Sequence, residues 1–207
     1  MDSSFIVKML GEISSIMNEN KDRLIELDSV VGDGDLGLTM TKGFAAAHDT
    51  AAASGEADCG KMLYSAGKAM SSAAPSTMGT LMALGLMAGG KKLKGKTEIG
   101  DMDIADLLDA YEASIMEKGH AKLGEKTFLD GFDPGAKTLR ASLEAGDSLA
   151  DATKKAASAA EEGFKAAKSM LAVHGKPAVK GEASREMDDP GACVAMFIYA
   201  AIAKAAE

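Results

Sequence analysis

Residues 27–37 read Leu-Asp-Ser-Val-Val-Gly-Asp-Gly-Asp-Leu-Gly, and they set three aspartates, Asp28, Asp33 and Asp35, inside one glycine-bearing stretch. Carboxylates this dense repel one another. At ~4 Å each like-charge pair costs roughly 1 kcal/mol in bulk water, and several times that near a protein surface. A cation offsets that cost. Asp33 and Asp35 are two residues apart, so an extended backbone would point both side chains the same way, and Asp28 could close the group from the other flank. Gly32, Gly34 and Gly37 allow a sharp turn and close approach of the main chain to a ligand. Hard oxygen donors in such a group suit magnesium, which is usually held by few carboxylates plus substrate phosphates. The competing reading is a solvated turn, because Asp and Gly are ordinary turn residues. A calcium EF-hand fails on spacing: with Asp33 as the first loop position, Leu38 falls where the invariant Gly belongs and Phe44 where the bidentate Glu belongs.

Outward from this stretch, both flanks carry helical periodicity. Phe5, Ile6, Met9, Ile13, Ile16 and Met17 predict an amphipathic helix over residues 3 to about 25. Beyond the aspartates a second helix is expected from Thr39 or Thr41 to about Ala53, and a third over roughly 58–72. Ser76, after Pro75, is a candidate N-cap for a helix through Met87 that Gly89 and Gly90 end. The segment KKLKGKTEIGD reads as an exposed connection. A helix from Asp101 or Asp103 to about Lys118 follows, then one from Thr127 to Ala145 in which Pro134 and Gly135 suggest a kink or restart. A long helix over 147–174 and a last one over 191–206 complete about eight helices with short connections, which favours antiparallel neighbours. The expectation is an all-α fold in one domain, residues 1–207.

Composition agrees. The chain is 46% hydrophobic but only 4% aromatic, with 14 Met and no Trp, so good helix formers supply most of its apolar surface. A formal net charge of −8 argues against nucleic acid or an anionic membrane as partner. Cys59 and Cys193 are too few and too far apart for a disulfide framework or a zinc site and read as reduced core residues. The N-terminus lacks a basic segment followed by a long apolar run, and Ala192–Ala203 is shorter than the ~20 residues that span a bilayer. The expected location is cytoplasmic.

Two further loops suit an anion. Ser71–Thr80, SSAAPSTMGT, gathers hydroxyl side chains and a Gly where a helix begins, and helix starts present free N–H groups. Plain capping by Ser76 explains the same residues without a ligand. No GK[ST] is present, so this is not a P-loop. The loop before the last helix carries Lys176, Lys180, Arg185, Asp188, Asp189 and Gly191, where basic groups could neutralise phosphate. His120 and His174 fit no catalytic pattern and read as surface or capping histidines.

Taken in order, LDSVVGDGDLG, SSAAPSTMGT, GEKTFLDGFDP and DDPGA resemble the nucleotide-binding L-subunit family of dihydroxyacetone kinases, a module that also forms the C-terminal domain of single-chain dihydroxyacetone kinases. The likeness covers nearly the whole chain. It implies an antiparallel eight-helix barrel with ATP or ADP and two magnesium ions at one rim. Asp28, Asp33 and Asp35 match the family's metal-binding aspartates, which makes them the catalytic and metal-ligating candidates. Leu36, Gly37 and Thr39 follow in the segment that meets the phosphates. Ala73, Ala74, Ser76 and Thr77 match a second nucleotide-contacting turn. Gly124 and Thr127 match the family's Gly-Asp-Lys/Arg-Thr-Met segment. Lys176 stands where the family has Arg, and Asp189 with Gly191 match the Asp-Pro-Gly-Ala turn. Leu36 departs from the His that usually follows the third aspartate. Arg to Lys at 176 keeps charge but loses the planar fork.

The resemblance implies a phosphotransferase subunit, inactive alone, whose acceptor sugar sits on a separate K-type subunit. A phosphotransferase-system protein is a possible phosphoryl donor. An alternative in another class is an ADP-loaded regulatory module that binds a protein such as a transcription factor; the complete aspartate trio favours catalysis.

Overall fold

The computed structural model describes all 207 residues and is all-helical. Nine α-helices and one 3-10 segment run in the order α1 Ser3–Glu19, α2 Lys21–Val31, α3 Leu36–Ser54, α4 Cys59–Ala73, α5 Thr77–Lys92, α6 Asp101–Gly119, α7 Phe128–Glu144, α8 Leu149–Ala167, the 3-10 segment Lys176–Glu186 and α9 Pro190–Ala205. Eight of the α-helices form a closed ring. α1 packs on α3, each helix from α3 to α8 packs on its successor, and α9 returns to α1. α2 lies outside the ring against α3 and α9. The expected eight-helix barrel is therefore present, with one helix added.

Connections from α3 to α8 are short and make those neighbours antiparallel. α2 and the longer loop with the 3-10 segment span the other sequential junctions, so alternate junctions gather at each end. At one end, the main chain of Met1 pairs with Ile99 at 2.8 Å, and Asp58 accepts the N–H of Gly95 at 3.0 Å. The other end gathers the α2–α3, α4–α5, α6–α7 and α8–α9 junctions around one cleft.

The ring closes on a continuous apolar core from Ile6 and Met9 through Phe44, Met70, Met82 and Phe132 to Tyr199 and Ile202. Phe132 stacks on Tyr111 and Phe128, with ring centroids 5.4 and 5.0 Å away. Gly89 and Gly90 do not end α5, contrary to expectation. They are interior to it, because α4 and α5 pack backbone to backbone. A Cβ on Gly90 would stand 2.6 Å from the Gly60 carbonyl oxygen and 2.7 Å from the Tyr64 nitrogen.

Other boundaries differ from expectation, and α3 already begins at Leu36 rather than at Thr39 or Thr41. The helix expected over 3–25 breaks at Asn20, whose side-chain amide donates back to the Ile16 carbonyl at 2.9 Å. The chain restarts as α2, which runs on to Val31. The helix expected over 147–174 stops at Ala167, and a 3-10 segment fills part of the loop that follows. α7 runs through Pro134 without the suggested restart. No helix is long and apolar enough to cross a membrane.

Candidate functional site

α2 ends at Val31 and α3 begins at Leu36, and the turn between them carries Asp33 and Asp35. This turn is not the extended stretch expected from sequence. Gly34 has φ 72°, a left-handed conformation natural to glycine, and Asp35 is already helical at φ −96°, ψ −9°. Asp28 sits one turn before the end of α2. A carboxylate oxygen of each aspartate lies within 4.8 Å of the others. Asp28 is half-buried, whereas Asp33 and Asp35 are exposed.

The electrostatics follow from this grouping. The Lys176 ammonium pairs with Asp33 and holds that carboxyl below the ordinary carboxylate range. Asp35 moves the opposite way: burial raises its pKa first, and the charges of Asp33 and Asp28 add to it. Three carboxylates gathered this closely, with the charges of two of them raising the pKa of Asp35, are the donor chemistry a hard divalent cation satisfies. The residues present therefore fit such an ion.

The aspartates form one wall of a cleft of about 670 Å³. The start of α5 contributes Ser76 and Thr77, with Ser76 capping its helix by accepting the Gly79 N–H at 3.0 Å. The α6–α7 junction contributes Lys118, Lys126 and Thr127, and the loop before α9 contributes His174, Lys176, Asp189 and Gly191. Four helices of the ring, α3, α5, α7 and α9, thus begin at the cleft. Helix starts present main-chain N–H groups and a partial positive charge to an anion.

Of the residues singled out in the sequence, Asp28, Asp33, Asp35, Leu36, Ser76, Thr77, Thr127, Lys176, Asp189 and Gly191 all line this cleft. Gly37, Thr39, Ala73, Ala74 and Gly124 are not in its wall. Gly37 and Thr39 are buried within α3, and Ala74 is buried under the α5 start. Gly124 acts on the wall from behind, donating its N–H to Asp130 at 2.5 Å. Asp130 also accepts the Thr127 N–H at 2.7 Å, so it fixes the turn that carries Thr127. His120 is a capping residue at the end of α6, as expected. His174 is not merely a surface residue: it lines the cleft and pairs with Glu125 at 2.6 Å.

Lys126 is the residue sequence reasoning missed. It is 3% exposed and left-handed at φ 59°. Its ammonium donates to the carbonyls of Ala167 at 3.0 Å, Lys168 at 2.6 Å and Met187 at 2.7 Å. Those first two carbonyls lie at the end of α8, where Ala167 also accepts the Met170 N–H at 3.1 Å. Burial pulls the Lys126 pKa down, opposed by Asp189 and Asp188. Asp189, itself buried, caps α9 by accepting the Ala192 N–H at 2.6 Å. Burial pushes its carboxyl up to about 7, against that hydrogen bond and the Lys126 charge. The signal in sequence was a lysine inside GEKTF, which looks like any surface charge until the α8 end is known.

An all-α ring with a triple-carboxylate cleft at one rim defines the class. The chain belongs to the DAK2 domain family, whose sequence model matches residues 30–204. It is 27% identical over 202 residues to the ADP-binding subunit DhaL of the PEP-dependent dihydroxyacetone kinase of Escherichia coli K12, covering 98% of this chain and 96% of that one. It is 32% identical over 191 residues to a D-erythrulose kinase of Mycolicibacterium smegmatis, covering 90% of this chain but 33% of that protein. The crystal structure of the dihydroxyacetone kinase from C. freundii in complex with AMP-PNP and Mg2+ superposes with a TM-score of 0.76 at 20% identity, over 97% of this chain and 34% of that one. That likeness establishes the fold. The chain spans nearly all of the E. coli subunit and about a third of the longer kinases.

Proposed function

We propose that this chain is the magnesium–nucleotide-binding subunit of a kinase for dihydroxyacetone or another short ketose. The observation that carries the reading is the convergence of the three aspartate carboxylates on a cleft where four helices begin. Asp28, Asp33 and Asp35 would hold two magnesium ions, and the starts of α5 and α9 would receive the phosphates of ATP or ADP. Bound magnesium supplies charge neutralisation of the transferring phosphoryl group, so the protein's task is positioning. Thr127 and Asp189, fixed by Asp130 and by the first turn of α9, would shape the pocket around the nucleotide. Names of relatives that include dihydroxyacetone and erythrulose kinases support the substrate class.

The histidine and acids of the cleft are otherwise engaged: His174 pairs with Glu125, the buried Asp189 caps α9, and the three aspartates are assigned to the cations. The acceptor sugar is therefore placed on a separate K-type subunit, and the isolated chain is expected to be inactive. A phosphotransferase-system protein is the proposed phosphoryl donor, in line with the PEP-dependent name of the E. coli relative. Calorimetric titration of ADP and ATP, with and without magnesium, tests the reading. Binding should require magnesium and should weaken more than about tenfold in Asp33→Asn. Tight binding without magnesium, or equal affinity in the variant, would remove the metal bridge.

A further inference from the structure

The ammonium of Lys176 contacts Asp33 although both side chains are more than half exposed, at 58% and 57%. Its charge also interacts with Asp35 and Asp28, so it serves the whole carboxylate group. Lys176 begins the 3-10 segment directly after Gly175, whose φ of 64° and ψ of −158° suit only glycine and turn the chain toward the cleft. The segment is tied down away from that lysine. The Ala172 N–H reaches Ser184 Oγ at 3.0 Å, His174 pairs with Glu125, and Lys126 holds the Met187 carbonyl. Between these ties the lysine side chain is long, solvated and free to rotate, and nothing but the acids holds its head.

We infer that Lys176 is a resident counter-ion of the aspartate group, exchanged for the divalent cation on loading and then turned to the phosphates of the bound nucleotide. The inference rests on the metal-binding reading of the three aspartates. An ammonium and a divalent cation repel each other and draw on the same group of carboxylate oxygens, so each weakens the other's hold on Asp33. Without metal, the lysine relieves the repulsion among the acids. With metal, the acids are neutralised, and the displaced ammonium lies within a side-chain swing of the anion that the metal recruits. One residue thus opposes metal binding and favours nucleotide binding. A lysine that merely decorated the loop would do neither, and one acting only on phosphate would leave metal affinity alone.

The two effects have opposite signs, which makes the inference testable with binding alone. Calorimetry would titrate MgCl2 and MnCl2 without nucleotide, and then ADP at saturating magnesium, into the wild-type chain, Lys176→Met and Lys176→Arg. Lys176→Met should bind the metal alone about two- to fivefold more tightly, the range expected for an exposed ion pair. The same variant should bind ADP about five- to tenfold more weakly once metal is saturating. Lys176→Arg, which keeps the charge, should stay close to wild type in both titrations. Unchanged or weaker metal binding in Lys176→Met, with the wild type binding normally, overturns the counter-ion role and leaves the metal site standing. Undiminished ADP affinity in that variant overturns the second half of the exchange. Failure of the wild type to take up either cation, with or without ADP, removes the metal site and the exchange together.

Discussion

Asp28, one turn before the end of α2, accepts the main-chain N–H of Leu36, the first residue of α3, at 3.2 Å. One carboxylate thus closes the turn between two helices and also faces Asp33 and Asp35. Leu36 carries its side chain inward, 6% exposed, as part of the core. These two roles separate by substitution. Asp28→Asn keeps an acceptor for the Leu36 N–H and loses the charge; Asp28→Ala loses both. Magnesium–ADP affinity should fall more than about tenfold in each. Only Asp28→Ala should lose stability as well, by about 1 kcal/mol in urea denaturation, the usual value of a helix cap. Equal stability of the two variants would mean that the Leu36 contact contributes nothing.

Lys126 holds the cleft floor from below. Its three carbonyl acceptors belong to the end of α8 and to the segment entering α9, so one ammonium joins two walls. Lys126→Met removes the donor while keeping most of the buried stem, and leaves the Lys168 and Met187 carbonyls without that partner, whereas Ala167 keeps the Met170 N–H. A loss of about 2–3 kcal/mol is expected, since charge-assisted bonds contribute more than neutral ones and orphaned acceptors add their own cost. Denaturation in urea measures the loss. Hydrogen exchange should localise it to residues 168–189, and a uniform change across the ring would contradict that placement.

α7 and α8 approach through Gly163. A Cβ there would stand 2.6 Å from the Asp130 carbonyl oxygen and 3.0 Å from Pro134 Cγ. Pro134 has no N–H to bond the Asp130 carbonyl, and the close approach of α8 occupies the space beside it. Gly163→Ala should therefore destabilise by about 1–3 kcal/mol through overpacking, despite the better helix propensity of alanine. A rise in melting temperature would show that the helices separate freely.

Much of this architecture was legible. Apolar spacing located the ring helices, because each must turn one stripe inward, and the aspartate trio was visible as a cluster of like charge that a cation would relieve. What was not legible depends on distant partners. Nothing local distinguishes Asn20 from its neighbours, and α2 buries only Leu24 and Val31, too little to announce a separate helix. Gly89 and Gly90 read as a stop signal because the sequence does not show that Gly60 lies opposite. Lys126, which binds the carbonyls at the end of α8, lies 41 residues earlier in the chain. His174 looked isolated because its carboxylate, Glu125, is 49 residues away.

Glu112 on α6 gives the fold a pH dependence unrelated to the cleft. Burial pushes its carboxyl from 4.5 up to about 7, with the charges of Asp133 and Asp109 adding to the effect and Lys137 opposing it. The buried Tyr199 hydroxyl, which has no hydrogen-bond partner, lies close enough to feel the same three carboxylates. The native state therefore holds a proton here that the unfolded chain releases near 4.5. Where the native state binds more protons, stability falls as pH rises. The contribution is complete below about pH 4.5 and lost as pH passes about 7; Asp189, raised from 3.8 to about 7, acts in the same direction. Glu112→Gln removes the ionisation and keeps the shape. The variant should match the wild type near pH 4.5 and exceed it at pH 8 by about 1 kcal/mol, less than the full shift implies because the carboxyl is partly solvated. Urea denaturation at pH 4.5, 6 and 8 decides the matter. A difference between the two proteins that stays constant across that range would show that Glu112 is ionised in the native state throughout, with Lys137 rather than a proton balancing its charge.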